Sequence, residues 1–585
     1  MPKKKQAIIG AFVLGLVSSL LMFAQQSLLP AAVGFAPGDW PKQDLERYSE
    51  LQNPLAYMRG ELPTSATSSK AMIVSTSEPL AIHAGFEALR HGGNAVDAAL
   101  TTSLAQIALS TGAAYSYAGI MLAVYYDASS GKVYTLNAAY NTVKGETDPM
   151  SIPAFGQHSG RTALVPGFMA GVQALHNRFG KLPFKRLFEP AIWIADNGVP
   201  FSLLVDAWLK QAGPFVTRLP ASKRIFTKES SEFYKVGELF RQPQLAATLK
   251  KVSNEGSSYM YRGDWAKHFV DGVQREGGKM TMDDLAAYEA VWTDPAVVSY
   301  NGYQIVSLGE PSAGGLQTQW SFALAEEANI KQLGHYTTSA DSLYSLIQIS
   351  RETSRLAFGS SPFSKEMAAS VWRRIQERMR PVSEEVKPGS NHSSAVIVVD
   401  EQGNVASVLH SINGLLWGST GLFVDGVSIP DSASLQQPLV SSAGPGKRLP
   451  DTTNPLIVLK DGKPVLASGA VGSGLHQVTL QNVINIIDFG MDVKTAVASP
   501  NTQGPYMGKS VTGPGQPQYQ METVSEGAFS AAILDGVRVR GQAIKIIPPS
   551  DRSQHGYWAG IQIVPETHKL NGAVTSLLPG MVEGY

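Results

Sequence analysis

Two short segments of the chain carry the residue types that nucleophilic chemistry needs. Ser393 opens an apolar, β-branched run that ends at position 400. A polar turn with a glycine follows, and a second alternating run ends in Ser411, Ile412 and Asn413. This order predicts a β-hairpin with hydroxyl groups at its open end. A serine hydroxyl at that place can attack a carbonyl carbon only if an adjacent group removes its proton.

Other chemistries find less support in the sequence. The chain has no cysteine, which excludes thiol nucleophiles, thiolate metal sites and disulfides. No motif has metal-ligand spacing, so we expect neither a metal nor a cofactor. The glycines at 469–474 resemble a dinucleotide loop, but the acidic partner at the required spacing is missing.

Alternative readings of the serines and histidines remain open. Ser393 could be an ordinary loop serine, or Ser394 could take its role if the register differs by one residue. His392, His410 and His476 suggest a Ser-His-Asp triad. We disfavour a triad because the sequence contains no G-x-S-x-G elbow.

The elements that must position this hairpin alternate irregularly along the chain. Apolar periodicity and turn residues predict two helices over 79–109 with a break at 91–94, strands over 121–126 and 132–136, helices over 316–379 and one helix near 475–498. Beyond residue 393 strands dominate. This irregular order predicts an α+β fold with layered sheets and helices.

Composition limits the partners of the protein. Its 585 residues include 48 basic and 48 acidic side chains, so the formal net charge is zero. No general field therefore favours nucleic acid or an anionic membrane surface. We expect no nucleic-acid partner.

The N-terminal segment predicts export. Three lysines at positions 3–5 precede an uncharged apolar run over residues 7–24. This is the pattern of a secretory signal or an N-terminal membrane anchor, with the lysines on the cytoplasmic side. We therefore expect the body of the protein in the periplasm or at the outer face of the cytoplasmic membrane. Residues 25–68 are rich in Pro, Gly, Gln and Ser and predict a tether.

Six blocks of sequence, in order, resemble one known family. They lie at 92–99, 165–171, 182–192, 311–315, 400–405 and 411–413. The chain resembles the γ-glutamyltransferase (γ-glutamyltranspeptidase) family of N-terminal-nucleophile hydrolases over about residues 70 to 585. The resemblance implies a four-layer αββα sandwich and a zymogen that cleaves itself just before the nucleophile. Counting back five residues from Val398 places that nucleophile at Ser393.

The resemblance also implies a division of the chain. Residues 1–36 would form the signal or anchor with its tether, 37–392 a large fragment, and 393–585 a small fragment that stays associated with it. The implied activity is that of an amide hydrolase or acyltransferase acting on a small-molecule amide or peptide. After cleavage the α-amine of Ser393 can serve as its base.

The family pattern assigns roles to further positions. Ser411 corresponds to a residue that hydrogen-bonds the nucleophile, and Asn413 to a substrate-binding residue. Gly472 and Ser473 correspond to two glycines whose backbone N–H groups form the oxyanion hole, and backbone donors survive a side-chain change. Asp451 and Thr452 stand where the family has two serines that bind the substrate α-carboxylate.

Several positions depart from the family. Ala139 replaces an arginine that binds the substrate α-carboxylate, and a pair of aspartates is reduced to Asp431 within 428–431. The loop at 115–119 has lost most of its glycines. These changes predict an acyl group other than a simple γ-glutamyl group. They also leave open a degenerate, non-catalytic homologue that acts as a membrane-associated binding or accessory protein.

Overall fold

Two antiparallel sheets of seven strands each form the centre of the molecule. The structure is a computed structural model that describes residues 34–357, 363–377, 393–505, 522–551, 555–575 and 578–585. The hairpin sheet has the spatial order Met581–Gly584, Met72–Ser75, Ser393–Val399, Val405–Ser411, Ile120–Asp127, Lys132–Ala138 and Val291–Thr293. The partner sheet has the order Ser65–Ser68, Lys569–Val574, Gly556–Val564, Lys463–Gly472, Leu456–Lys460, Tyr303–Ser307 and Ala296–Tyr300.

The strand that begins at Ser393 shows how the layers stack. Side chains alternate between the two faces of a strand. Ala395, Ile397 and Val399 belong to a core shared with the partner sheet, through residues such as Ile457. Val396 and Val398 belong to a second core formed with helices on the other face. A third core lies between the partner sheet and its own helices.

Helices cover the outer face of each sheet, so the fold is the expected four-layer αββα sandwich. Against the hairpin sheet and around it lie Lys42–Leu51, Pro54–Met58, Pro79–Arg90, Ala95–Leu109, Phe168–Phe179, Glu189–Asn197, Leu203–Val216, Pro220–Phe226, Pro243–Glu255, Ser258–Tyr261, Asp264–Arg275 and Met282–Ala286. The helices associated with the partner sheet are Ala313–Glu327, Ile330–Leu333, Ala340–Ala357, Lys365–Glu377, Leu475–Ile487, Val493–Ala498 and Ala531–Val539. The helix Gln437–Ala443 contributes to the core between the two sheets.

Smaller elements complete the described chain. Short strand groups pair Val199–Pro200 with Leu239–Phe240, Phe423–Val424 with Val427–Ser428, and Thr502–Pro505 with Glu522–Ser525 and Ile544–Ile547. Single 3-10 turns occur at Pro37–Asp39, Pro149–Ser151, Gly160–Thr162, Phe184–Phe188 and Ser432–Leu435.

Local sequence explains the predicted break between the first two long helices. Asn94 caps the second helix by accepting from the backbone N–H groups of Val96 and Asp97, and the Asp97 carboxylate accepts from the Asn94 N–H. This reciprocal capping box satisfies donors that a helix start leaves unpaired. The glycine at position 92 has φ of 86°, which a residue with a Cβ adopts only with strain.

Two sequence-based predictions of secondary structure are wrong. The single helix predicted near 475–498 is two helices, because the Asp492 side chain caps a new helix through the Thr495 N–H. The tether predicted over 25–68 is largely ordered, with two helices and a strand in its described part. Its aromatic residues make buried contacts that composition does not predict. For example, the Tyr48 hydroxyl donates to Glu583 Oε1 at 2.6 Å.

The lysines at 3–5 and the apolar run over 7–24, which predict the signal or anchor within residues 1–36, lie outside the described part of the chain. Among the described helices, none combines the length and apolar character needed to cross a bilayer. The predicted division at residue 393 remains a prediction, since His392 also lies outside the described residues.

Candidate active site

The two serines at the open end of the hairpin are in direct contact. Antiparallel register places Ser393 opposite Ser411, and the Ser393 hydroxyl donates to Ser411 Oγ at 2.8 Å. Ser411 Oγ also accepts from the Asn413 backbone N–H at 2.9 Å. Since the Ser393 proton faces Ser411, the lone pairs of Ser393 Oγ are left for other partners. Ser393 is only 8% exposed, so a substrate here would react away from bulk water.

A close backbone approach fixes the strand end that carries Ser411. A Cβ added to Gly119 would lie 2.4 Å from the Ser411 carbonyl oxygen. Only glycine therefore lets the loop before strand Ile120–Asp127 pass so near. The rest of this loop carries buried residues, including Tyr115 and Tyr117.

Asn413 and Asp451 form a second contact beside the serines. The Asn413 Nδ2 donates to Asp451 Oδ2 at 2.5 Å, and Asp451 Oδ1 accepts from the Thr453 N–H at 2.8 Å. An ionised carboxylate can only accept hydrogen bonds, so the amide NH₂ of Asn413 must face Asp451 and its oxygen must face away. Asp451 is 1% exposed, and no basic side chain in the described ranges forms an ion pair with it.

Thr452 contributes through its backbone in this structure. It hydrogen-bonds the His476 imidazole, and burial lowers the pKa of His476 to about 3. His476 is therefore neutral near pH 7 and adds no positive charge beside Asp451. A role of the Thr452 side chain in substrate binding stays a prediction.

Gly472 and Ser473 follow the end of a strand of the partner sheet. Gly472 has φ of 88°, and a Cβ there would lie 2.5 Å from the His555 carbonyl oxygen. The same strand packs on the hairpin, because a Cβ at Gly469 would lie 3.3 Å from the Cβ of Ala395. Helix Leu475–Ile487 begins directly after this turn, with Gly474 at its N-cap. The role of the Gly472 and Ser473 N–H groups with a substrate remains a prediction.

Ala139 stands where the resemblance implies an arginine. Ala139 is buried, and its carbonyl oxygen accepts from Arg448 Nη1 at 2.8 Å. Arg448 also donates to the carbonyl oxygens of Asn137 and Glu289 and to the Tyr288 hydroxyl. Its guanidinium is thus used to hold backbone segments together.

The remaining aspartate of the family pair is buried. Asp431 accepts from the Ser419 N–H at 2.9 Å and from the Ser419 hydroxyl at 2.6 Å. Its other oxygen has no hydrogen-bond partner within the described residues, and burial raises the pKa of this carboxyl.

Among the described residues, the structure does not assemble a Ser-His-Asp triad, and the candidate His392 lies outside them. His410 is buried beside Tyr115 and Phe168 on the helical face of the hairpin sheet, whereas Ser393 faces the other way. Neither ring nitrogen of His410 has a hydrogen-bond partner in the described part of the chain. Burial lowers its pKa to about 3. Across the described ranges, no cluster of three or more histidine, aspartate or glutamate side chains could hold a metal.

Sequence reasoning missed a polar cluster behind Ser394. The Ser394 hydroxyl lies 3.5 Å from the Ser75 hydroxyl and 3.1 Å from that of Ser77. Tyr115 reaches both Ser77 and Glu78. The run from Ser75 to Glu78, four polar residues at the end of an apolar strand, was the available signal.

Comparisons with known proteins identify the family of the chain. A family model described as gamma-glutamyltranspeptidase matches residues 81–576. The glutathione hydrolase proenzyme of Escherichia coli (strain K12) is 28% identical over 491 residues, which are 76% of this chain and 83% of that protein. The glutathione hydrolase-like YwrD proenzyme of Bacillus subtilis (strain 168) is 26% identical over 532 residues, 87% of this chain and 97% of that protein.

A solved structure shares the fold. The crystal structure of cephalosporin acylase from Bacillus halodurans aligns with a TM-score of 0.72 at 22% identity, covering 89% of this chain and 97% of that one. At this identity the likeness concerns the fold alone.

Proposed function

Because this chain belongs to the γ-glutamyltranspeptidase family, we propose that it is an exported, self-processing amide hydrolase or acyltransferase whose nucleophile is the Ser393 hydroxyl. The observation that carries the proposal is the 2.8 Å contact between the Ser393 and Ser411 hydroxyls at the open end of the hairpin. It gives Ser393 a fixed orientation, with one partner for its proton and its lone pairs free for attack. Two of the relatives are named proenzymes, which supports a processed chain.

The first step is cleavage between His392 and Ser393. The Ser393 oxygen attacks the carbonyl carbon of His392, the C–N bond breaks, and the nitrogen takes up the hydroxyl proton as an ester forms. Water then hydrolyses the ester. The products are a carboxylate at His392 and a free α-amine on Ser393.

The free α-amine makes substrate turnover possible. It accepts the Ser393 hydroxyl proton, directly or through a water, while the oxygen attacks the substrate amide carbon. The backbone N–H groups of Gly472 and Ser473 stabilise the negative oxygen that develops. The amine leaves with a proton, and water or another amine then takes the acyl group from Ser393.

The acyl group of the substrate lacks a free α-carboxylate. Ala139 supplies no charge, Arg448 is bound to backbone carbonyl oxygens, and Asp451 is an acid beside Asn413. A carboxylate placed next to Asp451 would be repelled and left without a cation. Losing a close charged contact costs about 2–5 kcal/mol, roughly 30- to 5,000-fold in binding.

Specificity is tested with two p-nitroanilides, one γ-glutamyl and one with an acyl chain of equal length that lacks the α-carboxylate. We expect turnover of the second and negligible turnover of the first. Ala139→Arg combined with Asp451→Ser should shift the ratio toward the γ-glutamyl compound. Turnover of the γ-glutamyl compound within tenfold of an ordinary family member assayed alongside would disprove this assignment.

Processing is tested on the purified full chain by denaturing gel, intact mass and N-terminal sequencing. We expect a small fragment that begins at Ser393. Ser393→Ala should leave the chain intact, whereas the neighbouring control Ser394→Ala should slow cleavage without blocking it. A wild-type chain that stays intact after prolonged incubation would identify a non-catalytic binding or accessory homologue instead.

Export is tested separately, since it depends on the lysines at positions 3–5 and the apolar run after them. Protease added to spheroplasts should digest the body of the protein. Protection in intact spheroplasts, with digestion only after lysis, would place the body in the cytoplasm and contradict export.

A further inference from the structure

Four side chains form a continuous polar path behind the nucleophile strand. We call Glu78, Tyr115, Ser77 and Ser394 the relay. The Tyr115 hydroxyl lies 3.3 Å from Glu78 Oε1 and 3.0 Å from Ser77 Oγ, and Ser77 Oγ lies 3.1 Å from Ser394 Oγ. The relay therefore connects a carboxyl group to the residue that follows Ser393.

The relay contacts the strand that begins at Ser393 near the point where its pairing with strand Met72–Ser75 stops. Backbone pairing with Met72–Ser75 extends from Val399 to Val396. Beyond it, the Thr76 hydroxyl accepts from the Ala395 N–H at 3.1 Å. Ser394 is then held by the hydroxyls of Ser75, Thr76 and Ser77. The position of Ser393 thus depends on hydroxyl contacts of its neighbour.

Glu78 is an unusual member of this path. It is 2% exposed and has φ of 65°, in the left-handed region that costs energy for a residue with a side chain. Gln52 donates to its Oε2, and no basic side chain of the described chain pairs with it. Burial raises the pKa of Glu78 to about 8, although the Tyr115 contact opposes the rise. The carboxyl is therefore neutral at pH 7.

Counting protons shows why the neutral form matters. A tyrosine hydroxyl has one proton, yet Tyr115 has an acceptor on each side, in Glu78 and Ser77. A protonated Glu78 donates to the Tyr115 oxygen, so the Tyr115 proton is free to reach Ser77. An ionised Glu78 only accepts and draws the Tyr115 proton to itself. Ser77 then loses a donor, and its contact with Ser394 changes.

We propose that Glu78 and Tyr115 are positioning residues that hold the strand end carrying Ser393, through Ser77 and Ser394, and that they do so while Glu78 is protonated. This inference rests on the proposed function, because it gives the relay a role in self-cleavage. Tyr115 belongs to the loop at 115–119, where the resemblance implies more glycines than this chain has.

Few other groups near the relay can titrate. His410 packs edge-on against Tyr115 with ring centroids 5.0 Å apart, and its pKa is lowered to about 3, so it stays neutral. Burial raises the pKa of Tyr115 well above its usual value. Gln106, which donates to Ser77, carries no charge.

Self-cleavage is the readout that isolates the relay. Before cleavage Ser393 has no free α-amine, so the base that titrates near pH 8 in the mature protein is absent. Newly synthesised full-length precursor is chased at pH 6 to 10 and analysed by gel. We expect the wild-type rate to fall about tenfold per pH unit above pH 8, since the neutral fraction of one carboxyl falls by that factor.

Three variants decide the case. Glu78→Gln keeps a donor toward Tyr115 and should process at close to the wild-type rate at pH 7, without the fall above pH 8. Tyr115→Phe should process more slowly at every pH, with no fall specific to that range. Glu522→Gln is the matched control, because burial raises the pKa of Glu522 to about 7 on a separate small sheet. It should retain the wild-type profile.

A second measurement needs no cleavage. Hydrogen exchange of the 393–399 strand, in the uncleavable Ser393→Ala chain, should lose protection above pH 8 unless Glu78→Gln is also present. A wild-type rate that stays flat to pH 10, or a Glu78→Gln variant with the same fall, would overturn the relay while leaving the nucleophile assignment intact. If no precursor is cleaved at any pH, the proposed function fails, and the exchange data alone decide the relay.

Discussion

At the scale of single residues, the proposed nucleophile Ser393 lies among residues that depart from the family pattern. The resemblance to the family singles out Ser393, Ser411 and Asn413, and the structure places them in one hydrogen-bonded group. The contact of Asn413 with Asp451 was not foreseen, because the two residues are 38 positions apart and no local pattern links them. The sequence shows that Asp451 is an acid. That Asp451 contacts Asn413 depends on how two loops far apart in the sequence come together.

Ser411→Ala tests the support that Ser393 receives. The change removes the acceptor of the Ser393 proton and leaves the Asn413 N–H without its partner. Each such loss in a buried site costs about 1–3 kcal/mol, so we expect roughly 10- to 100-fold slower amide hydrolysis by the processed protein. Ser407→Ala on the same strand is the control, since Ser407 donates to the Ser468 carbonyl oxygen. It should lower Tm while keeping the rate per folded molecule; equal loss in both variants would mean that the effect is structural.

The raised pKa of Glu78 predicts how stability depends on pH. The carboxyl binds its proton more tightly in the folded state, with a pKa of about 8 against 4.5 for the ordinary value. Its contribution to stability is therefore complete below about pH 4.5 and is lost as pH rises to 8. Glu78→Gln should remove this slope and raise the free energy of unfolding at pH 8.5 by roughly 1–4 kcal/mol. Denaturant titrations at pH 5 and 8.5 measure this free energy in both proteins. An equal dependence on pH in the wild type and the variant would show that Glu78 is already ionised at pH 5.

At the scale of elements, apolar β-branched runs bounded by turn residues are sufficient to predict the hairpin and the strands over 121–126 and 132–136. Both faces of these strands are buried, yet turn residues and β-branched runs still mark where each begins. The tether predicted over 25–68 from its Pro, Gly, Gln and Ser content is wrong, because helices form at Lys42–Leu51 and Pro54–Met58. There Pro54 sits at a helix start, where it is tolerated, and Trp40 and Tyr48 are buried against the fold. Composition alone cannot distinguish a proline that starts a helix from one that prevents it.

Gly119→Ala tests the close approach that positions the end of strand Val405–Ser411. The new Cβ would lie 2.4 Å from the Ser411 carbonyl oxygen and 2.8 Å from that of Ser116, both backbone atoms that cannot rotate away. We expect a loss of about 1–3 kcal/mol in unfolding free energy, together with slower self-cleavage. Gly272→Ala is the control: it lies in helix Asp264–Arg275, and its Cβ would meet nothing closer than 3.8 Å. That variant should be stabilised by about 0.5–1 kcal/mol, and similar losses in both would contradict the steric account.

At the scale of the whole molecule, family membership and the layered fold followed from six short blocks and the order of elements. The strand order within each sheet did not, because antiparallel pairing between residues hundreds of positions apart leaves no local signal. Strand Met72–Ser75 lies between Met581–Gly584 and Ser393–Val399, and the hairpin in turn lies between Met72–Ser75 and Ile120–Asp127. The partner sheet likewise places Ser65–Ser68 and Tyr303–Ser307 at the two sides of strands from beyond residue 393.

Because strands from both sides of residue 393 alternate in each sheet, cleavage of the chain turns unfolding from a one-chain reaction into the dissociation of two chains. The cut molecule melts into two polypeptides, and mass action then makes its midpoint depend on protein concentration. Calorimetry over a hundredfold dilution should show Tm of the processed protein falling, while Tm of the single-chain Ser393→Ala protein stays constant. Below the midpoint the two pieces should still travel as one particle, because separating them requires opening both sheets. If the Tm of the processed protein did not change on dilution, the two fragments would remain associated after unfolding.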